Sequence, residues 1–206
     1  MSEDLPIYSD QIFRNANPFA SLDRARGMDL TASFDRFDRM LDHGEESDPA
    51  GDARRGVTAP TPQALLEVHR LLFPHRPESG ILRSSPIAGP FPGQDCPEPE
   101  YIGKSLENFG VWLSAESFGE MHPIEQATLA LTRVVDIWPF GFGNRTTAVV
   151  FANHFLERAG YPPFFVLRDQ LDEFEQILAQ AIRMQTEPLV RAIYKCMERE
   201  IDLVGS

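Results

Sequence analysis

The chain has 206 residues, of which 31 are acidic and 19 are basic, and its formal net charge at pH 7 is −12. This length allows one domain with a substantial core plus an arm, and the acidic balance argues against non-specific binding to nucleic acid or to an anionic membrane. The only two cysteines, Cys96 and Cys196, provide neither a disulfide framework nor a short-spaced zinc motif.

The N-terminal segment, Met1 to Pro6, has neither the basic part nor the apolar part of a secretory signal. No apolar run approaches the length of a membrane span. We therefore expect a cytoplasmic protein with reduced cysteines.

Residues 1–60 are predicted to form an N-terminal arm, a helix and a mobile linker. In the arm, Phe13 and Phe19 are the expected anchors to the domain. The helix is predicted from Leu30 to Leu41, because its apolar residues share one face. The linker, residues 42–60, is rich in Asp, Glu and Gly and has no apolar pattern, so we expect mobility there.

Residues 61–206 are predicted to form a helical domain. Its first helix has Thr61 as a candidate N-cap and Pro62 in the first turn, where the missing N–H costs nothing. Residues 76–100 then contain too many prolines for a central strand. They either form a plain surface loop or include a short β-hairpin around Leu82 to Ile87.

The remaining helices follow from apolar periodicity and capping residues. They are predicted over Ser105–Ala115, Pro123–Trp138, Thr146–Ala159, Leu171–Met184 and Pro188–Val204. Gly160 is well placed as the C-terminal cap of the third of these helices. The predicted fold class is all-α.

The segment from Ile137 to Ala148 is the most informative part of the sequence. It is predicted to end one helix, turn through glycines and start another helix, whose N-terminal N–H groups suit an anion or a phosphate. The candidate binding residues are Gly143, Asn144, Arg145, Thr146 and Thr147. The alternative is that Gly143 and Asn144 only form the turn and that Arg145 points outward. The five histidines show no ligand spacing, so no metal site is predicted.

This segment resembles the signature of the Fic (filamentation induced by cAMP) family, H-x-F-x-(D/E)-G-N-G-R-x-x-R. Aligned without a gap, the matching residues are Pro139, Phe140, Gly143 and Asn144. Three further stretches resemble family motifs. Asn153 to Pro162 resembles the N-x-x-L-x-x-x-G-Y-P ending, and Gly80 to Arg83 resembles the opening of the flap. His122 to Ile124 resembles the start of the helix before the loop. The resemblance covers residues 61–185 and implies a Fic-like helical bundle with a short β-hairpin flap.

Members of that family mostly transfer AMP from ATP to a hydroxyl group of a target protein. The resemblance therefore implies a protein target or partner. It also implies a flap that aligns a target peptide by edge-strand pairing. The flap residues are Gly80, Leu82, Arg83, Ser84 and Ser85.

The departures from the signature fall on the positions that carry the chemistry. Trp138 occupies the place of the family's base, and an indole has no usable lone pair to accept a proton. Phe142 replaces the acid that holds Mg²⁺, an ion that needs oxygen ligands. Arg145 replaces the second glycine, and Thr146 and Val149 replace the two arginines. A gapped alignment would make Arg145 the first arginine, but it breaks the downstream spacing.

Three interpretations follow. The first is a protein that is inactive as an adenylyltransferase and binds a protein segment or a small anionic ligand, with no cofactor. The second is an active AMP transferase that uses ATP and Mg²⁺, in which Asn144 and Arg145 bind phosphate and a flap carboxylate or His122 is the base. The third is a structural partner, with a homo-oligomer as one form, in which Trp138 and Phe142 fill the cleft. No nucleic acid and no membrane is expected as a partner.

Overall fold

The computed structural model describes residues 19–25, 27–41, 51, 53 and 59–205. The longer helices are α1 (Thr31–Leu41), α2 (Pro62–Leu72), α3 (Pro99–Leu113), α4 (Pro123–Ile137), α5 (Asn144–Arg158), α6 (Leu171–Ile182) and α7 (Glu187–Val204). Shorter helical segments are Ala20–Ala25, Glu116–Gly119 and Arg168–Gln170. The residues in these described ranges form no β-strand, so the predicted all-α class is confirmed.

Helices α4 and α5 form the centre of the fold and are joined by a short loop, residues 138–143. Helix α5 is enclosed on nearly all sides; its buried residues are Asn144, Thr147, Ala148, Val150, Phe151, Ala152, Asn153, His154, Phe155 and Leu156. A helix that is buried all round packs against several neighbours at once. The start of α5, and with it the loop, is therefore held in one place by the core.

The helix boundaries follow the predicted capping chemistry with one difference. The side chain of Thr61 accepts the N–H of Ala64 at 3.1 Å, as an N-cap does. Gly160 follows α5 with φ of 77°, in agreement with the predicted cap. Helix α3, however, begins at Pro99 rather than at Ser105. The proline-rich segment can pass directly into a helix because a proline in the first turn costs no hydrogen bond.

The predicted β-hairpin around Leu82 to Ile87 is not formed. The N–H of Arg83, which a hairpin would use for its ladder, instead donates to the carbonyl of Pro139 at 2.9 Å. Pro86 has no N–H to offer a ladder. The segment therefore runs along the helical core as irregular extended chain.

The N-terminal residues in the described ranges pack onto the same core as α4 and α5. The ring of Phe19 lies 4.3 Å from the ring of His122, measured between centroids. Helix α1 contacts α7 through Arg36, whose Nη2 donates to the buried carboxylate of Glu200 at 2.6 Å. The other expected anchor, Phe13, lies outside the described residues.

The predicted linker, residues 42–60, is described only at positions 51, 53, 59 and 60. Gly51 and Ala53 are helical and buried. The division of the chain at residue 60 stays a prediction. None of the helices in the described ranges combines the length and the apolar character needed to cross a bilayer.

Candidate functional site: the loop between α4 and α5

Two residues with positive φ give the loop its shape. Trp138 ends α4 in the left-handed conformation, with φ of 50° and ψ of 59°. Gly143 precedes α5 with φ of 67°. The carbonyl of Trp138 accepts the Nε–H of Arg83 at 2.9 Å, so the unusual conformation of a bulky residue is fixed by a buried guanidinium.

The side chain of Asn144 closes the loop from inside. Its Oδ1 accepts the N–H of Phe140 at 2.9 Å, and its Nδ2 donates to the carbonyl of Phe140 at 2.8 Å. Asn144 is 2% exposed. The side-chain amide of Asn144 therefore bonds to the loop backbone and does not point toward solvent. This is the turn-forming role that the sequence analysis gave as the alternative to anion binding.

The first turn of α5 contains the two threonines of the candidate set. Thr147 is buried, and both its hydroxyl and its N–H donate to the carbonyl of Gly143, at 2.8 Å and 3.0 Å. Thr146 is half-buried. The N–H groups that precede the first intrahelical bond have no acceptor within a helix. Asn144, Arg145 and Thr146 carry the N–H groups of this kind.

Gly143 lies against an aromatic ring. A Cβ atom at this position would come 2.3 Å from Cε2 and 2.5 Å from Cζ of Phe73, the residue that ends α2. No side chain fits that distance without displacing the ring. The positive φ and the ring together require glycine here.

His69 connects α2 to the loop and to the start of the flap. Its Nδ1 accepts the N–H of Gly80 at 2.8 Å, so the ring proton must be on Nε2, which donates to the carbonyl of Phe142 at 3.1 Å. The ring is fully buried and stacks on Phe140, with 3.8 Å between centroids. Burial lowers the pKa of His69 from 6.5 to about 4, although the bond to Phe142 opposes the shift.

The lowered pKa of His69 predicts a loss of stability in mild acid. The unfolded chain takes up a proton on this histidine near pH 6.5, whereas the folded chain takes it up only near pH 4. The free energy of unfolding therefore falls as the pH drops from 6.5 to 4, by up to about 3 kcal/mol from this residue, and levels off below. Urea unfolding at pH 7, 5.5 and 4.5 measures the slope.

The matched variants are His69→Phe and His75→Phe, the latter at an exposed histidine. His69→Phe is expected to reduce the change in the free energy of unfolding between pH 6.5 and 4. His75→Phe is expected to leave that change as it is in the wild type. A wild-type slope in His69→Phe would contradict the assignment.

Arg145 lies at the mouth of the loop between two aromatic rings. Its guanidinium carbon is 5.6 Å from the ring centre of Trp138 and 5.5 Å from that of Phe91. Its Nη2 forms an ion pair with Glu175 on α6. An incoming anion would have to compete with this carboxylate for Arg145, because two negative groups cannot share one guanidinium without repulsion.

The flap residues fall into two groups. Arg83 is buried, and besides Trp138 it bonds to the carbonyls of Ser85 at 3.1 Å and Pro97 at 2.5 Å, so it supports the loop from below. Gly80 forms the turn, with φ of 73°, that presents its N–H to His69. Leu82 is half-buried, whereas Ser84 and Ser85 are exposed and belong to the accessible part of the segment.

The loop does not fit Mg²⁺ as the family signature would place it. Phe142 offers only its carbonyl, which already accepts the His69 proton, and its ring lies under Arg76 with 4.7 Å to the guanidinium carbon. Magnesium needs hard oxygen ligands, and a nearby cation opposes it. Across residues 59–205 and the shorter described ranges, no three His, Cys, Asp or Glu side chains group closely enough to hold a metal ion.

A profile of the Fic/DOC family matches residues 59–156, which include α2 to α4, the loop and all but the last two residues of α5. The chain contains a Fic/DOC family domain. The Fic domain has relatives named protein adenylyltransferase Fic in Drosophila ananassae, with 33% identity over 141 residues, and in Culex quinquefasciatus, with 34% identity over 141 residues. These alignments cover 68% of this chain but only 28% of each relative, so the chain spans well under half the length of the curated relatives it matches.

Solved structures confirm the Fic fold. A Fic-domain-containing signaling protein from Bacteroides thetaiotaomicron superposes with a TM-score of 0.71 and 18% identity, over 90% of this chain and 94% of that one. Fic-1 of C. elegans superposes with a TM-score of 0.66 and 22% identity, over 93% of this chain and 63% of that one. An N-terminal Fic domain from Bartonella quintana with bound ADP superposes with a TM-score of 0.57 and 16% identity, over 78% of this chain and 92% of that one.

Three residues that shape the loop were not among the candidates from sequence: His69, Phe73 and Glu175. His69 lies in the last turn of α2 and Phe73 directly follows that helix, four residues later, and this spacing is the only local signal that they meet the same neighbour. Glu175 has no such signal, because its pairing with Arg145 depends on how α6 packs.

Proposed function

We propose that this Fic domain binds a protein segment or a small anionic ligand without transferring AMP by the usual route of its family. The observation that carries the proposal is Trp138 at the position of the family's base. A general base must accept a proton, and an indole nitrogen offers no lone pair for it. The indole of Trp138 also lies under the guanidinium of Arg145, and the backbone carbonyl of Trp138 accepts the Nε–H of Arg83.

The neighbouring histidines do not supply a base either. Both nitrogens of His69 are engaged inside the protein, and its low pKa keeps it neutral and buried. His122 caps the opposite end of α4, where its Nδ1 accepts the N–H of Ile124 at 3.3 Å. A helix of 15 residues separates His122 from Trp138, about 22 Å along the axis.

Charge stabilisation of a transferring phosphate is also reduced. Phe142 offers no carboxylate for a metal ion, and Thr146 and Val149 offer no guanidinium. Arg145, in the first turn of α5, is paired with Glu175. Each missing electrostatic contact typically costs about a hundredfold in rate. Loss of the base, the metal ligand and both arginines together leaves no transfer by the ordinary route.

The extended segment beside the loop supports peptide binding. Ser84 and Ser85 are exposed, Ile81 is 58% exposed, and Arg83 between them is buried and bonded on three sides. A segment that is anchored at one residue and open at its neighbours presents backbone groups at a fixed place. Such a backbone suits an added peptide strand.

A transfer assay with α-labelled ATP and Mg²⁺ tests the proposal. The purified chain is expected to label neither itself nor the proteins of a cell lysate above the level of a heat-inactivated sample. The positive control is a variant that restores the signature: Trp138→His, Phe142→Asp, Arg145→Gly, Thr146→Arg and Val149→Arg. Robust Mg²⁺-dependent labelling by the unmodified chain would overturn the proposal.

The second candidate is an active AMP transferase with an altered site, which the identity to named adenylyltransferases favours. In that case Arg145 would bind a phosphate after leaving Glu175. Arg145→Ala should then abolish labelling while Arg76→Ala, at the exposed arginine beside Phe142, should not. Equal labelling by both variants would remove this candidate.

A further inference from the structure

A cavity of about 440 Å³ lies between α6 and α7, away from the loop. Its apolar lining includes Val166, Phe174, Ile177, Pro188 and Ala192. On α6, Glu173 and Ile177 face this cavity, whereas Glu175 faces Arg145. Positions two apart on a helix point to opposite sides, so α6 separates the cavity from the candidate site of the Fic domain.

One wall of the cavity is basic. Arg191, Lys195 and Arg199 follow one another at four-residue spacing on α7 and all line the cavity. This spacing places them on one face of the helix, over about 12 Å. Glu173 is the acidic residue of the lining.

The three cations differ in how they are held. Arg191 is paired with Glu187 one turn earlier. Arg199 is positioned by the carbonyl of Phe165 and the amide oxygen of Gln170, both at 3.3 Å. Lys195 lies between the two arginines and is exposed, and within the described residues no ion pair or hydrogen bond of its ammonium group is found. An available cation flanked by two fixed ones can bind an anion without breaking an existing pair.

We propose that the α6–α7 cavity binds a small amphiphilic anion, an aromatic or aliphatic body that carries a phosphate, sulfonate or carboxylate group. Its volume is within the range of small-molecule sites, and an apolar floor with a few convergent polar groups is their usual composition. The body of the ligand occupies the floor formed by Phe174 and Ile177. Its charged group contacts Lys195, with Arg191 and Arg199 on either side.

The test uses 8-anilinonaphthalene-1-sulfonate as the probe and its uncharged analogue N-phenyl-1-naphthylamine as the matched control. Fluorescence titration of the full chain is expected to show sulfonate binding that weakens about tenfold in Lys195→Gln, about 1.4 kcal/mol. Lys104→Gln, at the only other lysine, should change the affinity less than twofold. The uncharged analogue should bind both variants and the wild type alike.

Cys196 reports where the probe binds, because its side chain also lines the cavity. In Cys96→Ser, it is the only thiol, and the sulfonate should slow its reaction with the neutral reagent 4,4′-dithiodipyridine at least fivefold. In Cys196→Ser, the reaction of Cys96 should be unaffected. Burial raises the pKa of the Cys196 thiol, so the reaction is measured near pH 9.

A second cavity, of about 340 Å³, provides the competing site for the probe. It lies between α3, α4 and the end of α6 and is lined by Phe109, Trp112 and Leu129. Binding there would leave Cys196 unprotected and would be insensitive to Lys195→Gln. Either result, or equal affinity for the sulfonate in Lys195→Gln and Lys104→Gln, would overturn the proposal.

Discussion

Gly143→Ala is expected to lower the free energy of unfolding by about 3 kcal/mol. Part of the loss is the cost of a left-handed conformation for alanine, since φ is 67° at this position. The rest comes from overlap with Phe73, whose ring carbon would lie 2.3 Å from the new Cβ. The ring packs between His69 and Phe142, at 5.0 Å and 5.1 Å between centroids, so it has little room to move. Urea unfolding measures the loss.

Gly160→Ala is the matched control for this variant. Gly160 has a similar φ of 77°, but no atom lies within 4 Å of its Cβ position, so only the conformational cost of about 1 kcal/mol is expected. The overlap can also be isolated by a double-mutant cycle with Phe73→Ala, in which a coupling of about 2 kcal/mol is expected. Equal losses in Gly143→Ala and Gly160→Ala would show that the ring does not constrain the loop.

Arg83→Ala is expected to lower the free energy of unfolding by about 3 kcal/mol or more. The buried guanidinium bonds to the carbonyls of Trp138, Ser85 and Pro97, which the alanine variant leaves without these donors. Since one of them belongs to the left-handed Trp138, the variant should also change the environment of that indole. Urea unfolding gives the energy, and tryptophan fluorescence in a Trp112→Phe background, where Trp138 is the only tryptophan, reports the indole.

Arg76→Ala is the control for the removal of an arginine near the loop. Arg76 is exposed and its contact is with the Phe142 ring, so a loss under 1 kcal/mol is expected. The free energy of unfolding of Arg83→Lys should lie between those of the wild type and Arg83→Ala, because one ammonium group cannot bond to three carbonyls as a guanidinium does. If Arg83→Ala matched Arg76→Ala, the buried arginine would not support the loop.

The helices and the family were open to prediction because their signals are local. Thr61 with Pro62 and Gly160 after α5 marked helix ends, since capping depends on residues within one turn. The resemblance at Pro139, Phe140, Gly143 and Asn144 led to the Fic family, which the profile match to residues 59–156 and the shared fold then supported. The mismatch between Trp138 and the family's base could likewise be read from residue type, because an indole has no basic lone pair in any environment.

Other features could not be predicted because they depend on contacts between residues distant in the sequence. The choice between a plain loop and a β-hairpin in the proline-rich segment stayed open from sequence, because the N–H of Arg83 bonds to Pro139 across the fold instead of to a strand partner. The start of α3 is a local feature, but it was placed too late because the prolines before Ser105 suggested irregular chain, whereas Pro99 in fact opens the helix.

The sequence by itself determined that the chain is helical and that it resembles the Fic family, and it supports the hypothesis that the working side chains of the signature are absent. Only the tertiary structure decided which residues surround the loop: Phe73 lies against Gly143, neutral His69 lies between Gly80 and Phe142, and Glu175 pairs with Arg145. The physical reason is that helix propensity, capping and the chemical type of a side chain belong to a residue and its near neighbours. Burial, ring packing and ion pairing depend on which helices the fold brings together.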